Sequence, residues 1–256
     1  MHADEVLTDA ALVRRLLAAQ FPQWTGLEVT AVPSAGTDNA LYRLGSDLAV
    51  RLPRIGWAVA DVGKEQRWLL RLAPHLPLPV PVPLAQGAPG EGYPWAWSVV
   101  RWLDGAEAAA DRVGDLGVLA TDLAGFVTAL HRVEVCDPAP ALPPGRGVPL
   151  ATRDDLTRSS IAALAGSVDT AAVTAAWEDA LCAPAWDGAP VWVHGDLAPG
   201  NLLLTGGRLS AVIDFGALTI GDPAVDLLPA WNLFPAAAGR CRWRWSPCRT
   251  TGTPTQ

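Results

Sequence analysis

The sequence predicts an α+β protein of two lobes, a small antiparallel sheet followed by a mainly helical part. Three observations carry this. Strand-like segments crowd the chain up to Trp102, and apolar residues recur at helical spacing from Asp115 onward. Strands and helices also fail to alternate throughout, as a doubly wound parallel sheet would require.

In chain order, Thr8 or Asp9 can cap a first helix whose inner face carries Leu12, Val13, Leu16 and Leu17. Residues 27–33 (LEVTAVP), 40–44 (ALYRL) and 47–53 (DLAVRLP) read as short strands. Turn signals at residues 34–39 and at Gly45-Ser46 join them. Residues 61–72 read as a helix, with Trp68, Leu69 and Leu72 on one face and Glu65 on another. Residues 75–83 are proline-rich and extended, leading toward a further strand at 97–102 (WSVVRW). Leu116, Leu119, Leu123, Phe126, Val127 and Leu130 make residues 115–133 a long amphipathic helix. Residues 137–150, rich in Pro and Gly, read as a loop or spacer, and residues 170–181 as another helix. The strand VWVH, a loop, NLLL, a turn at Gly206-Gly207 and the strand LSAVID complete the pattern.

Composition narrows the function classes. Half of the 256 residues are hydrophobic, 18% are charged and 12 are Trp, which excludes wholesale disorder. A net charge of −7 argues against a general nucleic-acid binder and favours a cationic small molecule as partner. No long proline-free apolar run predicts a membrane span, and the N-terminal residues lack the pattern of a secretory leader. Cys136, Cys182, Cys241 and Cys248 form no CxxC pair, so a cytoplasmic protein with free thiols is expected.

Two motifs carry chemistry: HGDLAPGN at residues 194–201 and IDFG at residues 213–216. Asp196 lies on a loop just past a strand end, where a carboxylate can orient a hydroxyl by accepting its proton. Asn201 follows five positions later, and its amide oxygen suits magnesium, a hard cation that prefers oxygen ligands. Asp214 ends an apolar strand and can reach the same metal, while Gly216 permits a sharp chain reversal. Each piece alone is weak, since a loop Asp, a turn Asn and a DFG tripeptide are common. In this order they suit phosphoryl transfer, which needs positioning and charge neutralisation. A dinuclear metal phosphoesterase, the other reading of HGD, would need more His and Asp ligands than the neighbouring motifs offer.

HGDLAPGN, IDFG and GDPAVDL together resemble the aminoglycoside phosphotransferase family of protein-kinase-like enzymes. That family also includes macrolide, choline and homoserine-type kinases. The resemblance runs from the first strands to Phe234 and is densest over residues 191–234. It implies a two-lobed protein-kinase-like fold, with a nucleotide-binding N-lobe at residues 1–102 and a C-lobe at residues 103–238. It implies Asp196 as the catalytic base, Asn201 and Asp214 as magnesium ligands, and ATP or GTP as phosphate donor. His194 would support the catalytic loop, and Asp222 and Asp226 would anchor the segment after the metal-binding loop. In the family a strand lysine contacts the phosphates and pairs with a helix glutamate. Here Arg51 stands at that place, and Glu65 lies on the following helix. Gly36 would belong to a sparse nucleotide loop, and the backbone of Val100 to Trp102 would face the purine. The acceptor would be a hydroxylated small molecule, with antibiotics among the candidates.

Two departures motivate an alternative, a catalytically impaired nucleotide-binding pseudokinase or scaffold. One is Arg51. The other is the stretch 239–256, which carries Arg240, Arg242, Arg244 and Arg249, no acidic residue and no helical period. A shifted reading frame or a truncation near Ala238 is the preferred reading, ahead of a basic tail for an anionic surface. It predicts an incomplete C-lobe and bare apolar surface around residues 227–234.

Overall fold

A computed structural model describes residues 5–33, 38–109, 111–136, 142 and 145–234. The readings of Gly36 and of residues 239–256 fall outside these.

The first part of the chain is built on a five-stranded antiparallel sheet. Its strands are β1 (Val29–Val32), β2 (Asn39–Leu44), β3 (Leu48–Pro53), β4 (Pro83–Gly87) and β5 (Trp97–Arg101), in the order β1-β2-β3-β5-β4. Helix α1 (Ala10–Gln20) opens the fold, and Asp9 caps it by accepting the Leu12 N–H at 2.7 Å. Its apolar face, Leu12, Val13, Leu16 and Leu17, packs with Tyr42, Leu44, Val50, Leu52, Trp97 and Val99 into one core.

A strand at Pro83–Gly87 is absent from the sequence reading, which runs the proline-rich stretch on as extended chain. It fits here because β4 is an edge strand, with Pro83 as its first residue and a register shift between Pro83 and Ala85.

Helix α2 (Val59–Leu72) buries Val62, Glu65, Trp68, Leu69 and Leu72. Glu65 therefore shares the face of Trp68, Leu69 and Leu72, against the expectation of a separate face. The spacing 65, 68, 69, 72 is one stripe of a helix, and a charged residue on it turns inward when a buried cation waits there.

The second core joins α2 to the rest of the chain. Trp68, Leu69 and Leu72 share this core with Leu119, Leu123, Phe126 and Leu130 of α3 (Leu116–Arg132). Asp115 caps α3 on the Val118 N–H at 2.9 Å. Trp192 of β7 (Val191–Val193) packs on Trp68 with ring centroids 4.9 Å apart, so α2 is tied to the strand that leads into the HGD motif. The hairpin of β8 (Leu202–Thr205) and β9 (Arg208–Val212) completes this core, with β6 (Ala106–Glu107) along β8. The last strand, β10 (Thr219–Gly221), pairs antiparallel with β7.

Helices α4 (Asp154–Ala163) and α5 (Thr170–Leu181) lie outside both cores. Only Ile161 of α4 is buried and no residue of α5 is, so α4 offers no apolar stripe by which sequence reading could find it. The chain then reaches α6 (Pro229–Asn232). Of the apolar residues at 227–234, Trp231 is exposed, at 75%, and the others are buried or half-buried. No helix among the described residues is long and apolar enough to cross a membrane.

Candidate active site

The HGD loop leaves β7 through His194 and turns sharply at Gly195, whose φ is +81°. A Cβ there would lie 2.7 Å from the Ala217 carbonyl oxygen, so only glycine lets the loop pass this close to the DFG segment. Beneath the turn lies Asp226, out of contact with solvent. One of its oxygens accepts the Gly195 N–H at 2.8 Å, and the other accepts the His194 N–H at 3.0 Å. The second oxygen also meets Nε2 of His131 from α3 at 3.0 Å. Asp226 thus anchors the HGD loop as well as its own segment. Asp222 is more local: it caps the turn that follows by accepting the Ala224 N–H at 2.8 Å.

His194 is wholly buried, and both ring nitrogens are used. Nε2 lies 3.0 Å from the Ile213 carbonyl, and Nδ1 accepts the Asp196 N–H at 3.2 Å. A carbonyl on one side and an N–H on the other select the neutral ring protonated at Nε2. Burial likewise pushes the His194 pKa below its ordinary value. The ring packs on Phe215 of the DFG motif, with centroids 4.5 Å apart. One side chain therefore links the residue before Asp214 to the backbone of Asp196.

Asn201 makes the second link. Its Nδ2 donates to the Asp196 carbonyl at 2.7 Å and reaches Asp196 Oδ2 at 3.4 Å, while its own carbonyl accepts the Ile213 N–H at 2.9 Å. With the amide nitrogen spent on Asp196, Asn201 has its side-chain oxygen left for a cation. Asp214 follows Ile213 directly and is half exposed. It adopts φ +63°, so the reversal assigned from sequence to Gly216 is taken by Asp214 itself. Gly216 serves close packing instead: a Cβ there would meet Asp214 Oδ1 and Asp61 Oδ2 at 3.3 Å each.

Arg51 and Glu65 meet at 2.6 Å, with side chains 13% and 3% exposed. This is a buried pair rather than an ordinary surface one. Arg51 Nη2 also lies 3.9 Å from Asp214 Oδ1, so the guanidinium sits between the helix carboxylate and the DFG carboxylate. Glu65 Oε1 is buried without a hydrogen-bond partner, and burial drives the Glu65 pKa up against the pull of Arg51. Lys64 turns the other way, pairing with Asp61 at 2.8 Å and donating to the Gly216 carbonyl. It ties α2 to the DFG loop, a role the sequence gives no sign of.

Other predicted residues are less clearly joined to this group. Val100 is buried within β5, paired with Ala49 and Pro83. The Trp102 N–H already donates to the Asp47 carbonyl at 2.8 Å, and its ring lies under Arg43, whose guanidinium carbon is 4.1 Å from the centroid. Arg146, which sequence reading passed over inside the Pro/Gly-rich spacer, donates to Asp196 Oδ1 and, at 3.2 Å, to the Gly195 carbonyl.

Asp196 and Asn201 are bonded on one loop, and Arg51 lies between Glu65 and Asp214, an arrangement of the kind a kinase-like transferase would use. A model of the phosphotransferase enzyme family APH matches residues 29–244, and the chain belongs to that family. Among solved structures, the GDP complex of aminoglycoside 2'-phosphotransferase-IIIa is similar, with 21% identity and a TM-score of 0.71. That match covers 86% of this chain and 77% of the other. A macrolide 2'-phosphotransferase from Brachybacterium faecium shares 26% identity with a TM-score of 0.64, over 91% and 80% of the two chains. A ternary complex of APH(2'')-IIa with streptomycin and ATP matches at 19% identity and a TM-score of 0.57, over 87% and 75%. No curated protein matches the sequence significantly. The fold is thus the protein-kinase-like fold of this family, as the α+β reading anticipated.

Proposed function

We propose that this protein transfers the terminal phosphate of ATP or GTP to a hydroxyl of a small molecule, with magnesium bound. The observation that carries the reading is that Asn201 bonds both to Asp196 and to Ile213, the residue before Asp214. It holds Asp196 through Nδ2 and holds Ile213, just past the end of β9, through its main-chain carbonyl.

The donor set fits magnesium. Asn201 and Asp214 offer oxygen ligands only, and a two-residue set suits an ion that keeps several waters and takes the rest from phosphates. When bound, the metal would neutralise charge on the phosphate chain. Arg51, held by Glu65, would contact the phosphates bidentately. Asp196 accepts the acceptor's hydroxyl proton as the oxygen attacks the terminal phosphorus. The bond from that phosphorus to the bridging oxygen breaks, and the nucleoside diphosphate leaves with the electron pair. Residues 1–102 would bind the nucleotide, and residues 103–238 would carry the catalytic and metal-binding loops.

The relatives' ligands support this reading: GDP, ATP, kanamycin and streptomycin occur in their complexes. A screen of nucleotide consumption, run with ATP and with GTP against hydroxylated antibiotics, amino alcohols and sugars, tests it. Acceptor-dependent release of nucleoside diphosphate is expected. Nucleotide binding without turnover on every acceptor would favour the impaired-kinase alternative that Arg51 motivates.

A further inference from the structure

Arg146 is the one cation in contact with Asp196 among the described residues. It sits on a pinned segment. The Gly145 carbonyl accepts from Arg153 Nη2 at 2.7 Å, and the Gly147 carbonyl accepts the Asp222 N–H at 2.9 Å. Gly147 has φ +80°, and a Cβ on Gly221 would lie 2.5 Å from its carbonyl oxygen. The backbone on both sides of Arg146 is therefore fixed against β10 and the Asp222 turn, and its side chain is presented rather than loose.

One nitrogen of the guanidinium, Nη1, makes both bonds, to Asp196 Oδ1 and to the Gly195 carbonyl. Nε and Nη2 have no partner among the described residues, and the side chain is half exposed. A guanidinium with a planar fork of donors, anchored at one nitrogen, is prepared to bind an oxyanion with the others. Arg51, on the Asp214 side of the site, meets a carboxylate through each of its two terminal nitrogens, Glu65 at 2.6 Å and Asp214 at 3.9 Å, whereas Arg146 meets a carboxylate through one nitrogen alone.

We propose that Arg146 binds an anionic oxygen placed beside Asp196 during the reaction. The inference rests on the phosphotransferase reading of this site. Two sources share that chemistry: the transferring phosphoryl group, and an acidic group carried by the acceptor next to its hydroxyl. The second would turn the acceptor preference away from polycations, against what the net charge alone suggests.

Calorimetry on the full chain, wild type against Arg146→Gln and Arg146→Lys, separates the possibilities. The probes are MgATP, MgADP, and inorganic phosphate added to the complex with magnesium and a non-hydrolysable ATP analogue. If the terminal phosphoryl is the source, Arg146→Gln weakens MgATP by on the order of ten- to a hundredfold and leaves MgADP unchanged. If the acceptor side is the source, both nucleotides bind as before and the added inorganic phosphate is lost. Arg146→Lys, which keeps the charge without the fork, retains part of either effect. Unfolding temperatures equal to wild type guard against a trivial loss of fold. Identical binding of all three probes by wild type and Arg146→Gln overturns the proposal while leaving the transferase reading intact. A wild type that binds no nucleotide removes both.

Discussion

Asp226 holds Gly195 by its backbone: a buried carboxylate oxygen accepts the glycine N–H at 2.8 Å. The other oxygen holds His194 in the same way, so the turn that presents Asp196 is fixed from below by one side chain. The bonds are to a charged acceptor in a dry setting, where each is strong and where leaving a donor unmet is costly.

Asp226→Asn keeps the shape but replaces one acceptor oxygen with a donor, which then faces an N–H. A loss of about 1–3 kcal/mol of stability is expected. Thermal unfolding would show it as a drop of several degrees, since about 1 kcal/mol moves a chain of this size by ~2–4 °C. An unchanged unfolding temperature would remove Asp226 from its anchoring role.

The Arg51–Glu65 pair gives an asymmetric expectation. Arg51→Met leaves a buried carboxylate with no partner on either oxygen and should destabilise by about 3–5 kcal/mol at neutral pH. Glu65→Gln should cost less, because it removes the buried charge while Arg51 keeps Asp214 nearby. The pH sign follows. Burial already raises the Glu65 pKa, and without Arg51 it rises further above the unfolded value. The folded state then binds the proton more readily, so part of the lost stability of Arg51→Met returns as pH falls from 7 toward 5. Denaturant titrations at several pH values measure this, and a deficit independent of pH would contradict it.

His194 predicts the opposite trend. Its folded pKa lies below the ordinary value of about 6.5, chiefly through burial. The unfolded chain therefore takes up the proton first, and the His194 contribution to stability is complete above about pH 6.5 and falls away below it. Protonation would also turn Nδ1 into a donor facing the Asp196 N–H. His194→Asn should be less stable than wild type at pH 8 and show a flatter pH dependence below 6.5. Parallel curves for the two proteins would refute the assignment.

The proposed metal donors, Asn201 and Asp214, can be probed apart from turnover. Asp214→Asn and Asn201→Ala should each bind nucleotide with a weaker dependence on magnesium concentration than wild type, with the larger effect at Asp214, which carries the charge. Magnesium titrations of nucleotide affinity decide it, and wild-type dependence in both variants would exclude them as ligands.

Much of the candidate site was legible because short-range motifs hold it. His194, Asp196 and Asn201 lie on one loop, and the strand before Asp214 is short and apolar, so order and spacing suffice. The sheet was legible for the same reason, except at β4, where a proline opens an edge strand that alternation does not advertise. What escaped depends on contacts between distant segments. Arg146 lies 50 positions from Asp196, inside a stretch whose composition says only loop. Glu65 was set on the wrong helix face because its partner, Arg51, arrives from another element, and burial follows the pair rather than the residue type. Lys64 and His131 are likewise ordinary helix residues until the Gly216 carbonyl and Asp226 are brought to them.

The most direct measurement compares phosphate transfer and nucleotide affinity in wild type and Asp196→Asn, using an acceptor found by screening. The expected result is transfer slowed by about 10²–10⁴-fold or more, with MgATP or MgGTP affinity nearly unaltered. Transfer at the wild-type rate would mean that no proton is taken by Asp196, and the arrangement of Asp196, Asn201 and Asp214 would then need another explanation.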